Sequence, residues 1–137
     1  MANKFSIENH VWQSIVKHVN ASLPNEACGL IGGKDSLGKI ALPIPNMLNS
    51  PTEYRMQPEK QLEGFLLLEE LIYDLLVIYH SHPNGPPHPS PKDISSHFYP
   101  DISSLILFQN QTGWLGRLYS MHSNFFTEIP IEIIKNS

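Results

Sequence analysis

Ile7, Val11, Ile15 and Val19 recur every four residues, with Trp12 and Val16 beside them, and this apolar stripe predicts an amphipathic helix over 7–21, stopped before Pro24. The short apolar segment 27–33 ends in Gly-Gly and reads as a buried strand and a turn. A second strand is expected over 40–44, with Ser36, Leu37 and Gly38 as the hairpin turn before it. A loop rich in proline and asparagine follows to Pro51, then a short extended piece at Tyr54, Arg55 and Met56. Pro58 suits the first turn of a second helix reaching about Tyr73. The run 74–79 (Asp-Leu-Leu-Val-Ile-Tyr) reads as a central strand that delivers His80, Ser81 and His82 at its C-terminal end. Ser90 begins a short third helix that Pro100 closes, and further strands are expected over 104–108, 114–119 and 125–134. Helices and strands alternate without a regular βαβ repeat, which implies α+β, or α/β with a mixed sheet flanked by helices.

With 137 residues, 41% of them hydrophobic, the chain has the size and content of one domain over 1–137 with one core. Its formal net charge of −4 and nine scattered Lys and Arg residues argue against a nucleic-acid partner, because no basic cluster could neutralise a run of phosphates. A single cysteine excludes a disulfide framework and any Cys-x-x-Cys site. The first residues lack the apolar core of a secretion leader, and the most apolar run, 65–79, is broken by Glu69, Glu70 and Asp74, so no membrane span is expected. A cytoplasmic protein is the simplest expectation.

The chemistry concentrates in 79–94. Alternate residues of a strand face the same side, so His80 and His82 project together and Ser81 faces away. Asp93 follows eleven residues later, after a loop stiffened by Pro83, Pro86, Pro87 and Pro89. Two imidazoles and a carboxylate form a complete protein ligand set for a catalytic zinc, with a fourth position for water. Taken alone, Ser90-Pro91-Lys92-Asp93 also reads as a helix N-terminal capping box, and the histidines as satisfied polar residues at a strand end.

The pattern His-x-His-x7-Ser-x-x-Asp, together with Glu26 upstream in Asn-Glu-Ala-Cys-Gly-Leu, resembles the signature of the JAMM (MPN-type) zinc metallopeptidases. The resemblance extends through Pro45-Asn46 and the segment from Ser50 to Met56, and it is closest to compact prokaryotic members that process ubiquitin-like or sulfur-carrier proteins. It implies a curved mixed sheet between helices, similar to cytidine deaminases, and one zinc per chain held by His80, His82 and Asp93. It also implies Glu26 as general base, Ser90 as a donor to the tetrahedral oxyanion, and cleavage after the Gly-Gly tail of a small β-grasp partner. Tyr54 and Met56 would border that tail as an added strand, with core packing as their alternative role. His88, inside the ligand loop, would touch substrate. His97, four residues after Asp93, would share its helical face as a solvated residue or as a support for the site. Cys28 is expected in the core, although it shares a face with Glu26 if the strand begins there. His10, His18 and His122 have no identifiable partners. A non-catalytic MPN scaffold or a protein-interaction domain, including a polyproline ligand formed by the proline loop, is the competing class.

Overall fold

The computed structural model describes residues 4–97, Tyr99 and 101–135. In chain order it contains β1 (Phe5–Glu8), α1 (Asn9–Ser22), β2 (Cys28–Lys34), β3 (Leu37–Ile44), α2 (Pro58–Glu70) and β4 (Asp74–His82). These are followed by α3 (Pro91–Ser95), β5 (Ser103–Asn110), β6 (Gly113–Met121), β7 (Phe126–Ile129) and β8 (Ile131–Ile134). The strands form one mixed sheet in the order β7-β6-β5-β4-β2-β3-β1-β8. The pairs β1/β3, β1/β8 and β4/β5 are parallel and the others antiparallel, as the mixed α/β class required.

Strand alternation sorts the side chains onto two faces. Ile31, Val77, Tyr79, Leu105 and Leu107 meet Val11, Ile15 and Val19 of α1. Leu30, Ile78 and Ile44 face the other way, where Gly64 and Leu68 of α2 pack on Leu30 and Gly32. The apolar stripe read from the sequence is thus the buried face of α1, but Ile7 belongs to a strand. Phe5 and Ile7 are buried while Ser6 and Glu8 are not, a period of two that four residues were too short to announce.

Several other boundaries move for physical reasons. The strand expected over 125–134 is cut at Pro130, which has no backbone N–H to give a ladder. The two pieces lie at opposite ends of the strand order, although one residue joins them, so the sheet must curl until its edges approach. Pro130 accepts a hydrogen bond from the Phe5 N–H at 2.9 Å, and Ile129, Ile131 and Ile133 all pack on the α1 core. The β2–β3 hairpin turns at Asp35 and Ser36 rather than 36–38, with φ of 52° and 63°, the geometry of a two-residue primed turn. α2 stops at Glu70, with Ile72 left-handed at φ 61°, short of Tyr73. α3 ends at Ser95, and Pro100, expected to close it, lies outside the described residues.

One glycine of the predicted Gly-Gly turn is demanded by space. A Cβ on Gly33 would stand 1.9 Å from the Leu37 carbonyl oxygen, at a register shift in the β2–β3 ladder where the opposing atoms are backbone. Gly33→Ala is therefore expected to destabilise the protein by roughly 3 kcal/mol, the upper range for overpacking. Urea unfolding checks this, and an unchanged midpoint would contradict the close approach.

Candidate metal centre

β4 carries both histidines, because it runs on through His82 instead of stopping at Tyr79. On one face His80 lies between Cys28 of β2 and Ile106 of β5. Ser81 points away, as expected, and has a task there. Its Oγ accepts the Ala27 N–H at 2.8 Å, and its own N–H donates to the Ala27 carbonyl at 3.0 Å. That pair bolts the segment carrying Glu26 onto the histidine strand.

Asp93 arrives from the start of α3. Its Oδ2 lies 3.1 Å from His80 Nε2 and 3.0 Å from His82 Nε2, and the two Nε2 atoms are 3.1 Å apart. Ligands at about 2.0–2.1 Å around a tetrahedral zinc are separated by about 3.3–3.4 Å. The triangle of donor atoms therefore fits a zinc ion after a few tenths of an ångström of expansion. His82 Nδ1–H donates to the Pro86 carbonyl at 2.7 Å, so the neutral tautomer, the one able to bind a cation, turns its Nε2 lone pair to the triangle.

The capping box is also present: Ser90 Oγ accepts the Asp93 N–H at 3.0 Å and the Ser90 N–H donates to Asp93 Oδ2 at 2.8 Å. The capping reading holds, and it is compatible with the ligand reading, since the helix cap is what aims Asp93 at the histidines. The Ser90 hydroxyl hydrogen is not used in either bond.

Glu26 is 4% exposed, and its Oε1 is a buried oxygen without a hydrogen-bond partner among the described residues. Its carboxylate, His80 and His82 offer atoms all within 4.8 Å of one another. A cation could take Glu26 as its acid instead of Asp93. The Asp93 oxygen is already in contact range of both rings, so it is the better third donor, and Glu26 stays within 4.8 Å of the imidazole nitrogens. Burial pushes the Glu26 carboxyl up to about 8, with Asp93 and Glu53 adding to the rise and His82 opposing it. Burial would also raise Asp93, but the hydrogen bonds from His80 and His82 outweigh it and hold that carboxyl well below the usual range. Burial lowers His80, whereas for His82 the bonds to Asp93 and Pro86 overcome burial and raise it.

A groove of about 300 Å³ opens beside the triangle, lined by Tyr54, Arg55, Met56, Asp93, His97 and Tyr99 among others. A larger cavity of about 580 Å³ lies near Phe5 and Pro130, where the sheet edges approach, and holds none of the site residues. The Tyr54 ring stacks on His80 at 4.5 Å and 27°. Met56 is 7% exposed, packs in the core with Cys28 and Ile78, and pairs with Asn46 in a single bridge. His88 turns elsewhere: it stacks on Phe126 at 5.8 Å and donates to the Pro89 carbonyl. His97 follows α3 rather than riding on it, and donates to the Tyr99 carbonyl at 2.7 Å. Cys28 is wholly buried, its thiol pushed up to about 12 by burial, and belongs to the core.

Asn46 organises the groove loop, a role that sequence reasoning missed. Its Nδ2 donates to the carbonyls of Glu26 and Glu53 at 3.1 and 3.0 Å, and its Oδ1 accepts the N–H groups of Leu48 and Arg55, both at 3.1 Å. The bond to Leu48 is an Asx turn, which Pro45-Asn46 could have signalled; the bond back to Glu26 has no local signature. His18, also without an expected partner, meets the Tyr79 hydroxyl at 2.7 Å.

The family model for prokaryotic homologs of the JAB domain matches residues 8–122. A probable TtuB-protein conjugate cleaving protease of Thermus thermophilus is 41% identical over 78 residues, covering 56% of this chain and 52% of that protein. The chain thus spans about half the length of that relative. The CysO-cysteine peptidase of Mycobacterium tuberculosis is 28% identical over 125 residues, covering 89% of this chain and 86% of that one. The crystal structure of a JAB1/MPN domain protein from Archaeoglobus fulgidus superposes with a TM-score of 0.64 at 16% identity, covering 96% of this chain and all of that one, a likeness of fold.

Proposed function

The chain belongs to the family of prokaryotic homologs of the JAB domain, and on that footing we propose that it is a zinc metallopeptidase acting after the C-terminal Gly-Gly of a small ubiquitin-like or sulfur-carrier protein. One observation carries the reading. Two imidazoles and a carboxylate oxygen converge within 3.1 Å, and a second, unpartnered carboxylate is buried beside them. The names of the relatives, a TtuB-conjugate protease and a CysO-cysteine peptidase, support the substrate class.

His80 and His82 through Nε2, and Asp93 through Oδ2, are the atoms that would hold the metal. Zinc there supplies a Lewis acid able to bring the pKa of water from roughly 15.7 to about 7. Glu26 orients the attacking water, takes its proton at Oε1 and passes it to the nitrogen of the departing amine. Ser90 keeps Asp93 in place by its backbone N–H and offers its free hydroxyl hydrogen to the oxyanion that develops on the scissile carbonyl. The groove beside Tyr54 and Met56 takes the extended tail, where two glycines without side chains pass between the 46–56 loop and α3.

The described residues include no helix long and apolar enough to cross a membrane. The function is tested by incubating the zinc-loaded protein with a β-grasp carrier extended by one cysteine beyond its Gly-Gly and following intact mass. Loss of the cysteine with zinc, and not with chelator, is expected. Carriers that all survive prolonged incubation would sink the proposal.

A further inference from the structure

Histidines that bind metals ordinarily donate their second ring nitrogen to a carbonyl or carboxylate, which fixes both tautomer and ring orientation. His82 follows the rule through Pro86. His80 breaks it: its Nδ1 is buried and has no hydrogen-bond partner among the described residues. Its strand neighbours in register, Cys28 and Ile106, are core residues. The ring is nonetheless aimed, with Nε2 on Asp93 Oδ2. Against its face lies the Tyr54 ring, 4.5 Å away and 27° from parallel.

We propose that Tyr54 is a positioning residue whose ring face holds the His80 imidazole in its metal-ligating orientation, doing by stacking what a hydrogen bond does for His82. The proposal rests on the zinc reading of the site. Rotation of His80 about its Cβ–Cγ bond would break the stack and swing Nε2 away from Asp93. The phenol face also favours an imidazole that carries positive charge, as it does when a cation draws on Nε2. Tyr54 can act this way because its loop is itself fixed: Asn46 accepts the Arg55 N–H and donates to the Glu53 carbonyl, one residue to either side of Tyr54.

The test measures zinc affinity of the full chain by competition with a chromophoric chelator, alongside the visible spectrum of the cobalt(II)-substituted protein. Tyr54→Phe keeps the ring and is expected to bind zinc within threefold of wild type, with the cobalt bands in place. Tyr54→Leu is expected to lose about 10- to 100-fold in zinc affinity, the usual cost of removing a ligand's support, and to shift those bands. If the leucine protein does not fold, Tyr54→Met, which fills space without a planar face, replaces it. Wild-type affinity and spectrum in the leucine or methionine protein would overturn the proposal. So would a phenylalanine protein as weak as leucine, because the hydroxyl would then be the active part. A wild-type chain that binds no zinc removes the metal centre itself, an outcome separate from either variant result.

Discussion

Glu26→Gln is expected to retain stoichiometric zinc and to lose about 100- to 10,000-fold in turnover on a Gly-Gly-tailed substrate, the contribution of a positioned general base. The amide matches the carboxylate in shape but cannot take the proton of the attacking water. Because Oε1 has no partner to lose among the described residues, the fold should not suffer. The metal-free variant should in fact gain stability over the metal-free wild type as the pH rises from 4.5 toward 8. The Glu26 carboxyl is raised in the folded protein from 4.5 to about 8, so its contribution is complete below pH 4.5 and is lost as the pH climbs toward 8. Glutamine escapes that loss, and the advantage should grow across this window and then level off at about 3–5 kcal/mol. Thermal melts of both apo-proteins at several pH values, beside turnover of the loaded enzymes, make the measurement. Equal turnover would remove Glu26 from the chemistry, and parallel melting profiles would mean that the carboxylate is better solvated than its surroundings indicate.

Removal of the metal should be the second large effect. A chelator is expected to abolish hydrolysis and lower the melting midpoint, and added zinc to restore both. Ligand that binds only the folded chain stabilises it by about 4 kcal/mol when free metal is 1,000 times its dissociation constant. Asp93→Ala should hold less than a tenth as much zinc and melt at the same temperature with or without chelator. Asp93 also receives the Ser90 N–H, so the alanine protein forfeits the reciprocal half of the capping box, a hydrogen bond worth about 1 kcal/mol, while Ser90 Oγ can still accept the N–H of residue 93. Asp93→Asn separates the two roles, because its side-chain oxygen can still accept that N–H while lacking the charge that binds the cation. Metal analysis with midpoints for both variants decides the matter. Stoichiometric zinc in the asparagine and alanine proteins would transfer the third ligand to another residue, with Glu26 the first candidate.

Much of this site was readable because its pieces are local. His80 and His82 share a side because a strand repeats every two residues, and Ser90 with Asp93 makes a cap because a helix start needs an acceptor three residues apart. The α1 stripe was legible for the same reason, as a period near 3.6 on a segment of four turns. β1 was not, since four residues show too little of their alternation beside a helix that claims Ile7. The cut at Pro130 was visible as a proline, but its consequence was not, because which edge β8 joins depends on how far the whole sheet curls.

What the sequence determined by itself is therefore the chemistry: two imidazoles, an acid and a capped helix at spacings that short-range geometry enforces. The tertiary structure decided how other groups reach that chemistry, Glu26 included, to which only a family resemblance had pointed. Cys28 stands opposite His80 in the β2–β4 ladder, and that register, with Ser81 clasping Ala27, carries Glu26 to the histidines across more than fifty residues of chain. Asn46 reaches Glu26, and Tyr54 reaches His80, only after the loop between β3 and α2 has folded back over the sheet. Contacts of that kind follow from sheet register and loop closure, which depend on the summed packing of the core and leave no repeat in the order of residues for a reader to find.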